Sequence, residues 1–276
     1  MDEHIVEAMG KTKVVIKEGK VIEISDPKID YCPLFHKKRG IKKFNKNIVK
    51  ENMEFRIADF GMCTPNRQLD MNDFLSFGIS EILSTLLEEK IIDVVVMVCE
   101  GCGTVLVTEP NKAQGIGGRV SGLVKTSPIS EIIERIGEDN VLNIENATID
   151  QYKGLQLAID KGYKNIAVTI AGGNDGEKLR QLENDSEDVN LYLFSVHSTG
   201  IDQTVAEDAI RYCDVVTSCA SKYMHDVGFK KAHLAVGNSI PIFAASEDGK
   251  KFIELRLNKI GKKVEKSEQN PPKPLI

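Results

Sequence analysis

Ile91-Ile92-Asp93-Val94-Val95-Val96-Met97-Val98 runs straight into Cys99-Glu100-Gly101-Cys102-Gly103. A run this rich in β-branched residues reads as a buried strand of a parallel sheet. The thiol pair therefore stands where that strand stops and its loop begins. In open α/β sheets, ligands bind outside the carboxyl ends of the strands. Two soft thiols two residues apart on a glycine-containing turn at such an edge point to a metal, an iron–sulfur cluster or thiol chemistry.

Downstream the pattern alternates. Strands are expected over 165–170, 189–196 and 214–218, with short ones over 233–236 and 240–244. Helices are expected over 128–136, 149–161, 175–182, 202–212, 219–227 and 247–260. This alternation implies right-handed crossovers and a Rossmann-like three-layer α/β fold, its mainly parallel sheet flanked by helices. Upstream, two β-rich runs in 12–25 flank Glu18-Gly19, a hairpin signal. Residues 46–60 and 71–90 carry helical spacing, the second with Phe74, Phe77, Ile82, Leu83, Leu86 and Leu87 on one face. The expected organisation is an N-terminal β-hairpin and helical extension (1–90) packed on an α/β domain (91–260). A proline-containing tail (261–276) follows and is expected to be mobile.

The totals exclude several classes. The 276 residues are 41% hydrophobic and 28% charged, with a net charge of −5, so nothing draws the whole chain to nucleic acid or membrane. No stretch reaches the roughly 20 apolar residues that span a bilayer. The start, Met1-Asp2-Glu3-His4, lacks the features of a secretory signal, and a cytoplasmic protein is expected. Six cysteines in a cytosolic chain read as reduced thiols or ligands rather than a disulfide framework. One local exception stands out: Lys37, Lys38, Arg39, Lys42, Lys43, Lys46 and Lys50 lie between Asp30 and Glu51 with no acid among them. That is a solvated basic face or a docking patch for an acidic partner. Without interleaved aromatics it gives no platform for stacking bases.

Several loops should meet at one rim, because the strands that precede them run the same way. These are Cys99–Cys102, the Ala171-Gly172-Gly173-Asn174 loop, the His197-Ser198-Thr199-Gly200 loop and Cys219-Ala220-Ser221-Lys222. A metal or cluster at Cys99 and Cys102 would draw further ligands from Cys219, Cys63 and Cys32, with His36, His197 or His225 as alternatives. Cys213, at the other end of its strand, reads as a small buried hydrophobe. Gly115-Ile116-Gly117-Gly118-Arg119 is a second feature: its glycines allow close backbone approach, and Arg119 can grip phosphate or carboxylate, unless the segment is a loop or lid. Gly172-Gly173 before a helix is a further anion-site candidate. Glu100 reads as an acid/base group or a solvent-facing residue, and Lys222 with His225 as a pair one helical turn apart.

Five stretches taken together carry a resemblance: Tyr31-Cys32-Pro33-Leu34-Phe35-His36, Phe60-Gly61-Met62-Cys63-Thr64-Pro65, Cys99-Glu100-Gly101-Cys102-Gly103, Gln114-Gly115-Ile116-Gly117-Gly118-Arg119 and Ser218-Cys219-Ala220-Ser221-Lys222. They resemble the methanogenesis marker protein 8 family, over nearly the whole chain. The resemblance implies an anaerobic archaeal cytosol. It also implies a role in maturation or activation of methyl-coenzyme M reductase, with that enzyme or its maturation factors as partners, and it favours an iron–sulfur cluster over zinc. It supplies no reaction and no catalytic residue. Three readings follow: a metal- or cluster-binding accessory protein, an enzyme using a sheet-edge cysteine on a small anionic substrate, and a non-catalytic assembly factor docking through 37–50.

Overall fold

The computed structural model describes residues 2–32, 35–36, 39–72, 77–120, 122–237 and 240–264. Lys37, Lys38, Phe74 and the end of the expected tail, 265–276, lie outside them. The chain opens with strands β1 (His4–Ala8), β2 (Thr12–Lys17) and β3 (Lys20–Ile24), the last two forming the expected hairpin about Glu18-Gly19. Helix α1 (Lys46–Phe60) follows; the Asn45 side chain accepts the Ile48 N–H, and Gly61 at φ 73° ends it. Helix α2 (Ile79–Glu88) is shorter than the 71–90 span expected. Gly78 before it is extended, and the Glu81 side chain folds back against it.

Strand β4 (Val94–Cys99) then begins the larger sheet, and here the first correction arises. The turn at Cys99–Cys102 leads into an antiparallel partner, β5 (Gly103–Val107), rather than into a crossover. Cys102 N–H donates to Cys99 O at 3.1 Å, while Gly101 at φ 82° and Gly103 at φ 74° let the backbone reverse. The second correction is helix α3 (Pro110–Gly117), which contains the glycines expected as a loop or lid. Ala113, Gln114, Gly115 and Ile116 are buried, so the small residues serve helix packing. Strand β6 (Gly122–Lys125) returns to the first sheet, whose order is β3-β2-β1-β6, all antiparallel.

The rest alternates as expected: α4 (Ser130–Ile136), α5 (Gln151–Asp160), β7 (Asn165–Ala171), α6 (Gly176–Asn184), β8 (Asn190–Val196), α7 (Gln203–Tyr212), β9 (Val215–Thr217), α8 (Lys222–Lys231), β10 (Leu234–Val236), β11 (Ile242–Ala244) and α9 (Glu247–Lys259). The larger sheet has the order β10-β11-β9-β8-β7-β4-β5. Its centre, β4-β7-β8-β9, is parallel, and its edges at β5 and at β11-β10 are antiparallel. The protein is thus a mixed α/β structure with two sheets, the larger one partly parallel. Alternate residues of β4 enter different cores. Val94 and Val96 pack with α5, α6 and α7, whereas Val95 and Met97 pack with α2, α4 and α9.

The two parts of the chain are interleaved. Strand β6 of the second completes the first sheet, and α2 of the first packs on the larger sheet. No helix among the described residues is long and apolar enough to cross a membrane.

Candidate functional site

The parallel strands all present their carboxyl ends to one cavity of about 480 Å³. Val98 of β4, Ala171 of β7, Val196 of β8 and Thr217 of β9 line its floor. The first sheet covers it with Glu7 of β1 and Gly122, Leu123 and Val124 of β6. Most polar groups in its wall already have partners. Glu81 accepts from Ser80 Oγ and Gln114 Nε2, each at 3.0 Å. Gln151 Nε2 donates to Thr169 O at 2.6 Å, and Gln151 Oε1 accepts from Thr104 Oγ1 at 2.8 Å. A ligand would meet a mainly apolar chamber with few groups left to engage it.

Those groups are His197 and Cys219, from the loops after β8 and β9. Both line the main cavity and also a smaller one of about 170 Å³ beneath β1. Both have left-handed backbones, φ 52° and 47°, a conformation that costs a non-glycine residue about 1–3 kcal/mol and clusters at functional sites. The loops are laced together: Ser198 Oγ donates to Thr217 O, and Ala220 N–H donates to Thr199 Oγ1 at 3.2 Å. The Cys219 thiol lies 3.8 Å from Thr217 Oγ1. His197 has no hydrogen-bond partner among the described residues; its ring is open to cavity space. The residue remains solvent-exposed, yet the protein packed around its ring, with the Arg56 charge adding to it, lowers its pKa from the ordinary 6.5, and the neutral imidazole can accept a proton.

Glu7 also lines both cavities. It pairs with Gly122 across β1 and β6, and a Cβ at Gly122 would press on Glu7 at 3.2 Å and come into van der Waals contact with the His197 ring at 3.9 Å. Nothing in the sequence singled Glu7 out, because it arrives from the other sheet.

A family model described as "Uncharacterized protein conserved in archaea (DUF2099)" matches residues 4–258. The chain belongs to the DUF2099 family. "Uncharacterized protein MJ0054" of Methanocaldococcus jannaschii is 44% identical over 285 aligned positions, spanning all of both chains.

In this DUF2099 member the cysteines expected as metal ligands are divided. Cys99 and Cys102 are sealed in the apolar core beside α4 and contribute nothing to either cavity. Cys102 beside it, together with burial, pushes the Cys99 thiol well above its ordinary 9.0. Cys63 is buried in the core of the first sheet, where burial and Glu100 raise its pKa as well. Cys32 and Cys219 share the smaller cavity. Among the described residues no three His, Cys, Asp or Glu side chains stand together as a metal-binding group. Cys213 is buried, as expected for a small hydrophobe, and burial pushes its thiol up to about 12.

The other residues singled out in this DUF2099 sequence also fall into place. Gly117 and Gly118 line the main cavity. Arg119 turns away from it, bonding Gln68 Oε1 at 2.8 Å and lying 4.9 Å from the Phe60 ring. Gly172 and Gly173 pack against α7, where a Cβ on Gly173 would press on Val205 O. Glu100 is fully buried and paired with Arg67 at 3.1 Å, so it faces neither solvent nor cavity. His225 is buried against the Phe229 ring, 4.6 Å away, and Lys222 lies over Tyr223.

Two buried imidazoles, His4 and His225, are held below 6.5 chiefly by burial. The unfolded chain then takes up protons more readily than the folded one. The stability these groups allow is complete above pH 6.5 and is lost as the pH falls through that value toward their lower folded pKa values. The urea midpoint is expected to drop between pH 7 and pH 5, above the carboxylate range, and His225→Phe to flatten the drop. A midpoint constant over that interval would contradict the assignment of neutral, buried imidazoles.

Proposed function

We propose that this protein is a thiol enzyme acting on a small, largely apolar molecule held in the main cavity. Cys219 is the nucleophile and His197 the base that takes its proton. A thiol deprotonated by an imidazole is a recurrent arrangement for attack on an electrophilic carbon; here the two residues line the same two cavities, while the resting Cys219 thiol lies against Thr217 Oγ1. The observation that carries this reading is that two residues in the loops after successive parallel strands, both in left-handed backbone, line the same cavity. The apolar wall favours a mostly uncharged substrate over the anionic one that the glycine-rich stretches suggested. The resemblance to the methanogenesis marker protein 8 family sets this chemistry within methane formation, in support of methyl-coenzyme M reductase. That context rests on the five quoted stretches and on the archaeal distribution of the family.

The test is selective alkylation of the intact, reduced chain under anaerobic conditions. Iodoacetamide is expected to modify Cys219 well ahead of Cys63, Cys99, Cys102 and Cys213, and His197→Asn to slow that reaction at least about tenfold. Native mass spectrometry of the freshly purified protein should show a bound compound that is lost from Cys219→Ser. Equal reactivity of Cys219 and Cys63 would end the proposal. So would stoichiometric iron or zinc that depends on Cys219, which would replace it with the metal reading.

A further inference from the structure

Among the described residues, the main and the smaller cavity share three lining residues: Glu7, His197 and Cys219. Residues that carry a carboxyl, an imidazole and a thiol thus stand where the two cavities adjoin, and the other described lining residues differ between them. The smaller chamber is bounded by Met9, Ile29, Phe35, Phe44 and Ile240, with Ala8 and Ala220 beside the partition. At about 170 Å³ it has room for a compact molecule of a few heavy atoms, against about 480 Å³ on the other side.

We propose that the two chambers hold two reactants and that Cys219 relays an acyl group between them. This rests on the thiol reading above. A donor ester or thioester sits in the main cavity. The Cys219 sulfur attacks its carbonyl carbon as His197 takes the thiol proton; the S–C bond forms, the bond to the leaving group breaks, and His197 returns the proton to that group. A small neutral thiol or amine in the smaller chamber then attacks the thioester carbonyl. The new bond forms, the S–C bond breaks, and the acceptor's proton passes by way of His197 to the Cys219 sulfur. No oxidant or reductant is consumed. A thiol reachable from two sides separates donor from acceptor in space, which is what sequential transfer needs and what hydrolysis does not.

The experiment uses the full chain with phenyl acetate as donor, and 2-mercaptoethanol and glutathione as a small and a large acceptor. Intact mass and peptide mapping should find one acetyl group on Cys219, loaded in a His197-dependent manner. Discharge by 2-mercaptoethanol should exceed discharge by glutathione at equal thiolate concentration by about tenfold or more, a difference of about 1.4 kcal/mol in barrier. Ile240→Phe, at a residue that lines the smaller chamber and not the main one, should leave loading unchanged and slow discharge by a similar factor. Tyr31→Trp, from another part of that wall, serves if Ile240→Phe does not fold. If Cys219 loads but both thiols discharge it equally, and neither variant alters this, the relay is wrong while the thiol enzyme stands. If Cys219 never loads, or loads without need of His197, the thiol reading itself falls.

Discussion

Arg67→Met is expected to destabilise the protein by about 3–5 kcal/mol, a large share of the roughly 5–15 kcal/mol that holds a domain folded. Arg67 is completely buried, and its guanidinium engages groups from several segments. Nε donates to Glu100 Oε2 at 3.1 Å; Nη1 donates to Gln68 O and to Gly115 O at 3.2 Å; Nη2 donates to Ile116 O at 3.4 Å. The Phe60 ring lies 4.9 Å from its central carbon. Removing it strands the Glu100 carboxylate, whose other oxygen already lacks a hydrogen-bond partner among the described residues. It also removes a positive charge from the last carbonyls of α3. Arg67→Lys keeps the charge but loses the planar fork, and should fall between. Glu100→Gln should cost less, about 1–3 kcal/mol, because Arg67 retains its carbonyl partners. The decisive measurement is a double-mutant cycle by urea denaturation. Arg67→Met in the Glu100→Gln background should cost clearly less than in the wild type, since no carboxylate is left to strand. Additive losses would show that the pair is not coupled.

This ion pair marks a boundary of what the sequence makes legible. Arg67 carries no local signal, and Glu100 between two cysteines invites a catalytic reading. Only the fold reveals that the turn carrying Glu100 meets the loop after α1. The parallel centre, by contrast, is visible in advance, because β4, β7, β8 and β9 alternate with amphipathic helices and each must cross over to its neighbour. The convergence of His197 and Cys219 follows from that same alternation. What escapes are features set by long-range pairing. Strand β5 is a short apolar run behind two glycines, and nothing in its composition says that it turns back on β4. Strand β1, and with it Glu7, is a five-residue segment at the far end of the chain. The glycines of α3 resemble an anion-binding loop in composition alone. Gly115 is there because the Leu69 backbone passes so close that a Cβ would overlap it.

The same steric argument gives the second large effect. Gly103→Ala is expected to cost about 2–5 kcal/mol, the sum of about 1–2 for a left-handed alanine and about 1–3 for overpacking. Gly103 sits at φ 74°, and a Cβ there would overlap the carbonyls of Ala147 and Thr148. That segment cannot retreat, because Thr104 N–H donates to Thr148 O at 2.9 Å and Asp150 N–H to Thr104 Oγ1 at 2.9 Å. Gly101→Ala is the matched control. At φ 82° it bears similar backbone strain, but its Cβ would press on Ile129 Cβ, Cγ1 and Cδ1 at 2.9–3.0 Å, a milder overlap than the 2.2–2.4 Å from backbone at Gly103. Its cost should be about 1–2 kcal/mol. The two variants should therefore differ in urea stability by more than about 1 kcal/mol. They should also differ chemically. Cys99 and Cys102 are fully buried at the β4-β5 turn, so Gly103→Ala should make both thiols reactive at urea concentrations where Gly101→Ala still protects them. Equal losses in the two variants would mean that the 147–148 backbone yields as readily as a side chain, and that burial of the thiol pair does not depend on its position.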